Sequence, residues 1–186
     1  LDATTVEHNA PQPPLNLRGG SVESLKGVRV GVPKEYFIDG MDPETEKRVR
    51  EGIAQIEKLG AEIVEISLPY SPYALAVYYI IMPAEVSSNL ARFDGIRYGL
   101  SVKSPDLLGT YIKTRATGFG PEVRRRIILG TYILSAGYYD AYYNRAQKVR
   151  NLVVRDFKNA FKEVDAILSL TTPTPAFKIG EKASDP

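Results

Sequence analysis

The sequence contains no cysteine and only one histidine, His8, among its 186 residues. Without cysteine, the sequence can form no disulfide, no thiolate metal site and no cysteine nucleophile. A single histidine excludes a histidine-based catalytic triad and a metal site built from several histidines. The lack of cysteine also fits a reducing compartment.

Long apolar runs and a strong charge of one sign are missing as well. The apolar segment around Tyr78–Met82 is soon followed by Pro83 and Glu85, so no stretch has the length needed to cross a bilayer, and we predict no membrane partner. The formal net charge of +2 is too small to indicate nucleic-acid binding by itself. The chain begins with Leu1 and has no signal sequence, and we expect it to be the interior of a longer protein.

The pattern of apolar and turn-forming residues predicts a connector followed by an α/β region. Residues 1–25 are polar and rich in proline, asparagine and glycine, which is typical of a connector on a surface. Over residues 28–68 we predict a strand, a helix and a second strand, an order that suggests a parallel pair. A helical region over 73–164 and a strand with a loop over 165–186 complete a partial domain over 26–186.

Several boundaries within this plan have clear local signals. Asp42 can cap the start of the first helix, and Gly60 stops it. Farther along, Pro83 predicts a kink or a division of an apolar helix. Gly137 marks the joint between two further helices, predicted over residues 123–138 and 139–164.

The arginine triplet Arg124–Arg126 is the most suggestive group for ligand binding. Three successive helical residues point in different directions, so at least one guanidinium faces an interior or a cleft. A guanidinium in such a place needs a carboxylate partner. That partner is either an internal Asp or Glu or the carboxylate of a substrate, and an internal ion pair is the commoner arrangement.

Longer strings of residues match known enzymes. They include Gly31–Phe37, Ser87–Gly95, Gly137–Tyr143 and Pro173–Phe177, in a collinear match that begins at about Lys26. Together these strings resemble the amidase-signature family, and within it the glutaminase subunits of tRNA-dependent amidotransferases. The resemblance implies an α/β fold that is part of the amidase-signature fold, a mixed central sheet flanked by helices. This piece would be helix-rich with about three strands.

The resemblance also implies an activity for the whole enzyme. Members of this branch hydrolyse glutamine with a serine, a second serine in a cis peptide and a lysine. The ammonia then converts Glu-tRNA(Gln) to Gln-tRNA(Gln), with ATP and Mg²⁺ used by a partner subunit in a cytoplasmic complex that includes subunits B and C. The triad precedes the matched region, so we expect no catalytic residue, cofactor or metal in this chain, which alone would be inactive.

The same resemblance assigns two substrate-binding residues. Arg126 corresponds to the arginine that binds the glutamine carboxylate, and Tyr78 corresponds to a tyrosine that lines the substrate pocket. Met82 stands where Ala or Ser is common, a departure that we expect to touch neither role. In the family an aspartate that contacts the substrate amino group lies beyond Pro186.

Two other functions stay open at this point. The first is a general amidase that acts on free amides without tRNA, which a test of ammonia transfer to Glu-tRNA(Gln) would separate from an amidotransferase. The second is a non-catalytic interaction module, which would explain the missing triad directly. Little exposed apolar surface on the chain would favour such a module.

Overall fold

The computed structural model describes residues 24–182, so the predicted connector over 1–25 lies almost wholly outside the described residues. The described elements are, in chain order, β1 (Arg29–Pro33), α1 (Pro43–Lys58), β2 (Glu62–Ile66), α2 (Ala74–Asn89), α3 (Leu107–Gly118), α4 (Pro121–Ile133), a π-helical turn (Tyr139–Asn144), α5 (Arg145–Glu163) and β3 (Ala166–Ile167). Short 3₁₀ turns stand between some of them. The predicted class, a helix-rich α/β fold with about three strands, is confirmed.

The chain forms two compact units, which we describe separately. In the described part of the chain, the first unit comprises residues 24–68 and 156–182, and the second comprises Pro69–Arg155. The long helix α5 contributes residues to both. The division into a connector and one partial domain over 26–186 stays a prediction.

The sheet of the first unit confirms the predicted parallel pair. Its strand order is β2-β1-β3 and both pairings are parallel, with Val30 of β1 opposite Ile63 and Ala166. The strand predicted at the start of 165–186 is short and comprises only Ala166 and Ile167. The neighbouring central strand, β1, ends at Pro33, which has no backbone N–H. The hydrogen-bond ladder therefore stops after the Leu168 N–H donates to the Gly31 carbonyl at 2.9 Å.

The first helix begins and ends as its local signals predict. Asp42 Oδ1 accepts the Thr45 N–H at 2.8 Å, and Pro43 occupies the first helical position. At the other end Gly60 has a φ of 98°, a left-handed conformation that favours glycine. The sequence of α1 is mostly polar, so the stability of this helix depends on its caps and on the face that packs beside the sheet.

The core of the first unit lies where β2 and its following residues meet the end of α5. Leu68 is fully buried and Val164 almost so, and Ile66 and Ala160 complete the buried cluster. Gly31 lies close to this contact, where a Cβ would come within 2.8 Å of the end of the Ile66 side chain. The end of α5 therefore packs against β2 and the residues after it.

The second unit is organised around the packing of α2 against α4. Gly130 of α4 lies directly against the backbone of α2, where a Cβ would overlap the Pro83 carbonyl oxygen. Ser87, also buried at this contact, donates its hydroxyl to the Ala84 carbonyl at 2.8 Å. Pro83 does not divide α2, which runs unbroken from Ala74 to Asn89.

Some helix boundaries in the second unit differ from the prediction. Helix α3 starts at Leu107, because Asp106 caps it through the Gly109 N–H. Helix α4 starts at Pro121, two residues before the predicted start, and ends at Ile133 rather than near residue 138. The joint at Gly137, with a φ of 86°, is confirmed, and the chain re-enters a helix through the π-helical turn.

Candidate functional site

An apolar pocket of about 360 Å³ lies in the second unit. Its walls come from α2 and α5: Ala74, Val77, Tyr78, Ile81, Met82, Arg150 and Val153. Apart from the Tyr78 hydroxyl and the Arg150 guanidinium, these side chains carry no hydrogen-bonding group other than the weak acceptor sulfur of Met82. A concave, mostly apolar surface with few polar groups is the usual form of a small-molecule site.

Arg126 contacts the wall of this pocket from α4. Its Nη1 donates to the Tyr78 hydroxyl oxygen at 3.3 Å and lies 3.9 Å from the Met82 sulfur. The structure thus brings together the two predicted site residues, which are 48 positions apart in the sequence. Their assigned roles toward a substrate stay predictions.

Glu122 joins two of the three arginines of the triplet. Its Oε1 accepts from Arg126 Nε at 2.7 Å, and its Oε2 accepts from Arg125 Nε at 2.8 Å. These hydrogen bonds, from Arg125 first and then Arg126, lower the pKa of Glu122 to about 2, so the carboxylate stays ionised at neutral pH. The hydrogen bond between Arg126 and Glu122, and to a smaller extent the one to Tyr78, raises the pKa of the Arg126 guanidinium.

The arginine triplet is divided between solvent and the pocket wall, as its helical spacing predicts. The Arg125 side chain is 70% exposed, whereas that of Arg126 is 32% exposed and turned toward α2. The two alternatives that the sequence left open do not exclude each other. Arg126 has an internal carboxylate partner in Glu122, and its Nη2 donates to no described residue.

The unused part of the guanidinium is suited to a carboxylate. A guanidinium presents two forks of N–H groups, one formed by Nε with Nη2 and the other by the two Nη atoms. Glu122 takes Nε of Arg126, which leaves the fork of the two Nη atoms beside the Tyr78 hydroxyl. Two arginines and one glutamate carry a net charge of +1, which favours binding of one anionic group.

Sequence reasoning missed two residues of this site. We expected Met82 to touch neither assigned role, but its sulfur lies against Arg126 and its side chain lines the pocket. The second residue is Glu122, which accepts from Arg126 Nε. Its signal was present, because a glutamate four residues before an arginine lies on the same helix face.

A larger cavity, of about 490 Å³, lies in the first unit between the start of α1 and the segment after β3. Its acidic groups already have structural roles, since Asp42 caps α1 and Glu44 pairs with Arg48 at 3.8 Å. We therefore place the candidate site in the second unit, where the guanidinium of Arg126 has N–H groups to spare.

Five tyrosines around the π-helical turn form two groups of contacting rings. Tyr138 lies between Tyr132 and Tyr142, with ring centroids 4.3 and 6.0 Å away, and Tyr139 stacks on Tyr143 at 5.1 Å. A hydrogen bond with Tyr138 raises the pKa of Tyr132 to about 12. The rings thus pack against each other.

The part of the chain that the structure describes contains neither a cluster of metal-binding side chains nor a membrane-spanning helix. Residues 24–182 contain no group of three or more His, Cys, Asp or Glu side chains that could hold a metal ion. None of the helices found there is long and apolar enough to cross a membrane.

Comparison with known proteins relates the whole chain to one family. The profile of the amidase family matches residues 2–186. The A subunit of glutamyl-tRNA(Gln) amidotransferase from Thermodesulfovibrio yellowstonii is 59% identical over 88% of this chain, and that from Roseiflexus castenholzii is 56% identical over all of it. The chain covers 34% and 37% of these two proteins, about a third of their length.

A solved structure shows that this relationship extends to the fold. The crystal structure of the glutamyl-tRNA(Gln) amidotransferase A subunit from Thermotoga maritima superposes with a TM-score of 0.58 at 36% sequence identity. The match covers 86% of this chain and 30% of that one. The predicted amidase-signature fold is thereby confirmed.

Proposed function

Because this chain belongs to the amidase family, we propose that it forms part of the glutaminase subunit of a tRNA-dependent amidotransferase. The whole enzyme would hydrolyse glutamine and pass the ammonia on for conversion of Glu-tRNA(Gln) to Gln-tRNA(Gln). Support comes from the names of the relatives, which are 56–59% identical to most or all of this chain.

The observation that carries the proposal is the position of Arg126 at the pocket wall. The Nη fork of its guanidinium lies beside the Tyr78 hydroxyl, to which Nη1 donates, and it adjoins an apolar pocket of about 360 Å³. The other nitrogen of the fork, Nη2, donates to no described residue. A charged fork of this kind can bind the α-carboxylate of glutamine through two parallel hydrogen bonds. Tyr78 would line the pocket for the rest of the substrate.

The remaining parts of the reaction belong elsewhere in this proposal. The serine, cis-serine and lysine would be supplied by a part of the protein outside these 186 residues, so this chain would bind and orient glutamine. ATP and Mg²⁺ would be used by a partner subunit, in a cytoplasmic complex with subunits B and C. Holding the carboxylate at one fixed point would present the side-chain amide to the nucleophile in a reproducible position.

Substitution of Arg126 tests the residue assignment. In the intact enzyme Arg126→Ala should raise the KM for glutamine about ten- to hundredfold, since a charge-assisted pair to the substrate is lost. Arg124→Ala is the matched control, because Arg124 is an exposed arginine of the same triplet and the two bonds to Glu122 come from its neighbours. An unchanged KM in Arg126→Ala would remove Arg126 from the site.

Ammonia transfer separates this function from the two alternatives. The intact protein is supplied with subunits B and C, ATP, Mg²⁺ and Glu-tRNA(Gln), and formation of Gln-tRNA(Gln) is measured. Hydrolysis of free amides without transfer would indicate a general amidase, and the absence of both activities an interaction module. The structure does not favour the module, because Leu75, Leu108 and Ile128 are each about two thirds exposed or more.

A further inference from the structure

We propose that Glu122 is a positioning residue, which holds the Arg126 guanidinium so that only its Nη fork is open to the substrate carboxylate. This inference rests on the proposed function, since it concerns the substrate that Arg126 would bind. It adds a residue to the site whose effect would pass entirely through Arg126.

The geometry at the start of α4 supports this role. Glu122 lies in the first turn of that helix, one turn before Arg126, so the two side chains share a face. Both of its carboxylate oxygens are engaged, one by Arg126 Nε at 2.7 Å and the other by Arg125 Nε at 2.8 Å. With both oxygens engaged, the carboxylate cannot rotate without breaking one of these bonds.

Arg126 has one further hydrogen bond that fixes its orientation. The Tyr78 hydroxyl accepts from Nη1 at 3.3 Å, a longer bond to a neutral oxygen. Without Glu122, this bond and the 3.9 Å contact with the Met82 sulfur alone would hold a long side chain with many rotamers. We therefore expect the guanidinium to spread over several orientations when Glu122 is removed, with only some of them suited to a carboxylate.

A role of Glu122 in screening charge and a role in positioning Arg126 predict opposite changes in the KM for glutamine, which makes the positioning role testable. If Glu122 only screened the positive charge of Arg125 and Arg126, its removal would strengthen the attraction of an anionic substrate and lower the KM for glutamine. If Glu122 positions Arg126, the same removal raises that KM. In Glu122→Gln the amide oxygen can still accept from Arg126 Nε while the charge is gone, so the positioning role predicts a smaller effect than in Glu122→Ala.

The experiment is steady-state kinetics on the intact enzyme with glutamine and with a simple primary amide that has no α-carboxylate. Glu122→Ala should raise the KM for glutamine about tenfold with little change in kcat, and should leave hydrolysis of the simple amide unchanged. Glu46→Ala is the matched control. Glu46 lies in the first turn of α1 and forms the same kind of i, i+4 pair, with Arg50 at 2.6 Å. It should leave both substrates unaffected.

A double-mutant cycle shows whether the effect passes through Arg126. In an Arg126→Ala background, Glu122→Ala should add nothing to the KM. A second, additive increase would overturn the proposal, as would an equal loss of activity toward the simple amide, because either result indicates a general structural role. Should Glu122→Ala not fold, Glu122→Asp carries the same test with a retracted carboxylate.

The failure of this inference is distinguishable from that of the proposed function. If Arg126→Ala raises the KM for glutamine but Glu122→Ala leaves it unchanged or lowers it, Glu122 is not a positioning residue and the assignment of Arg126 stands. If Arg126→Ala itself has no effect on the KM, the assigned site is wrong and the role of Glu122 is overturned with it.

Discussion

Gly130 is the position where α4 comes closest to α2, and its replacement tests the packing that brings Arg126 beside Tyr78. A Cβ at Gly130 would overlap the carbonyl oxygen of Pro83 and come within 2.8 Å of the Ser87 hydroxyl. The backbone carbonyl cannot swing away as a side chain could, so the two helices must separate. Overpacking of this kind costs about 1–3 kcal/mol.

The net effect of Gly130→Ala also includes helix propensity. Alanine is favoured over glycine inside a helix by about 1 kcal/mol, which offsets part of the overlap. From the upper end of the overpacking range we expect a net loss of about 2 kcal/mol in the free energy of unfolding. A loss of 1 kcal/mol lowers the Tm by about 2–4 °C in a domain of 150–250 residues, so the Tm should fall by about 4–8 °C.

Gly52→Ala is the matched control for this experiment. Gly52 also lies inside a helix, α1, but a Cβ there would have no atom within 4 Å. Only the propensity gain remains, and the Tm should rise by about 2–4 °C. The two variants are compared by thermal unfolding followed by circular dichroism. If Gly130→Ala is as stable as Gly52→Ala, the close approach of α2 and α4 is refuted.

Two further predictions concern the first unit. Leu68 is fully buried among Ile66, Ala160 and Val164, so Leu68→Ala should cost about 2–5 kcal/mol as measured by urea unfolding, whereas Leu75→Ala, at a side chain that is 66% exposed, should change stability by less than about 0.5 kcal/mol. Side-chain hydrogen bonds from Arg29, and then its backbone N–H, lower the pKa of Asp165 from 3.8 to about 2. Its contribution to stability is therefore present above pH 3.8 and lost as the pH falls through about 2. Asp165→Asn should flatten the acid dependence of the Tm in that window, and parallel curves for the two proteins would contradict the assignment.

The features predicted correctly from sequence are those made by residues close together in the chain. Asp42 and Gly60 mark the two ends of α1 because a cap involves groups within one helical turn. The local pattern of apolar and turn-forming residues over 28–68 likewise predicted a strand, a helix and a second strand. The resemblance to the amidase family, which also rests on collinear strings, named Arg126 and Tyr78 before their proximity was known.

What the sequence by itself determined was therefore the order of strands and helices and the two candidate residues. The tertiary structure alone decided that Met82, 44 positions away, touches Arg126. It also decided that α2 continues through Pro83 and that Gly130 of α4 lies against the Pro83 carbonyl. Such contacts join groups that are distant in the chain, and only the packing of the helices brings them together.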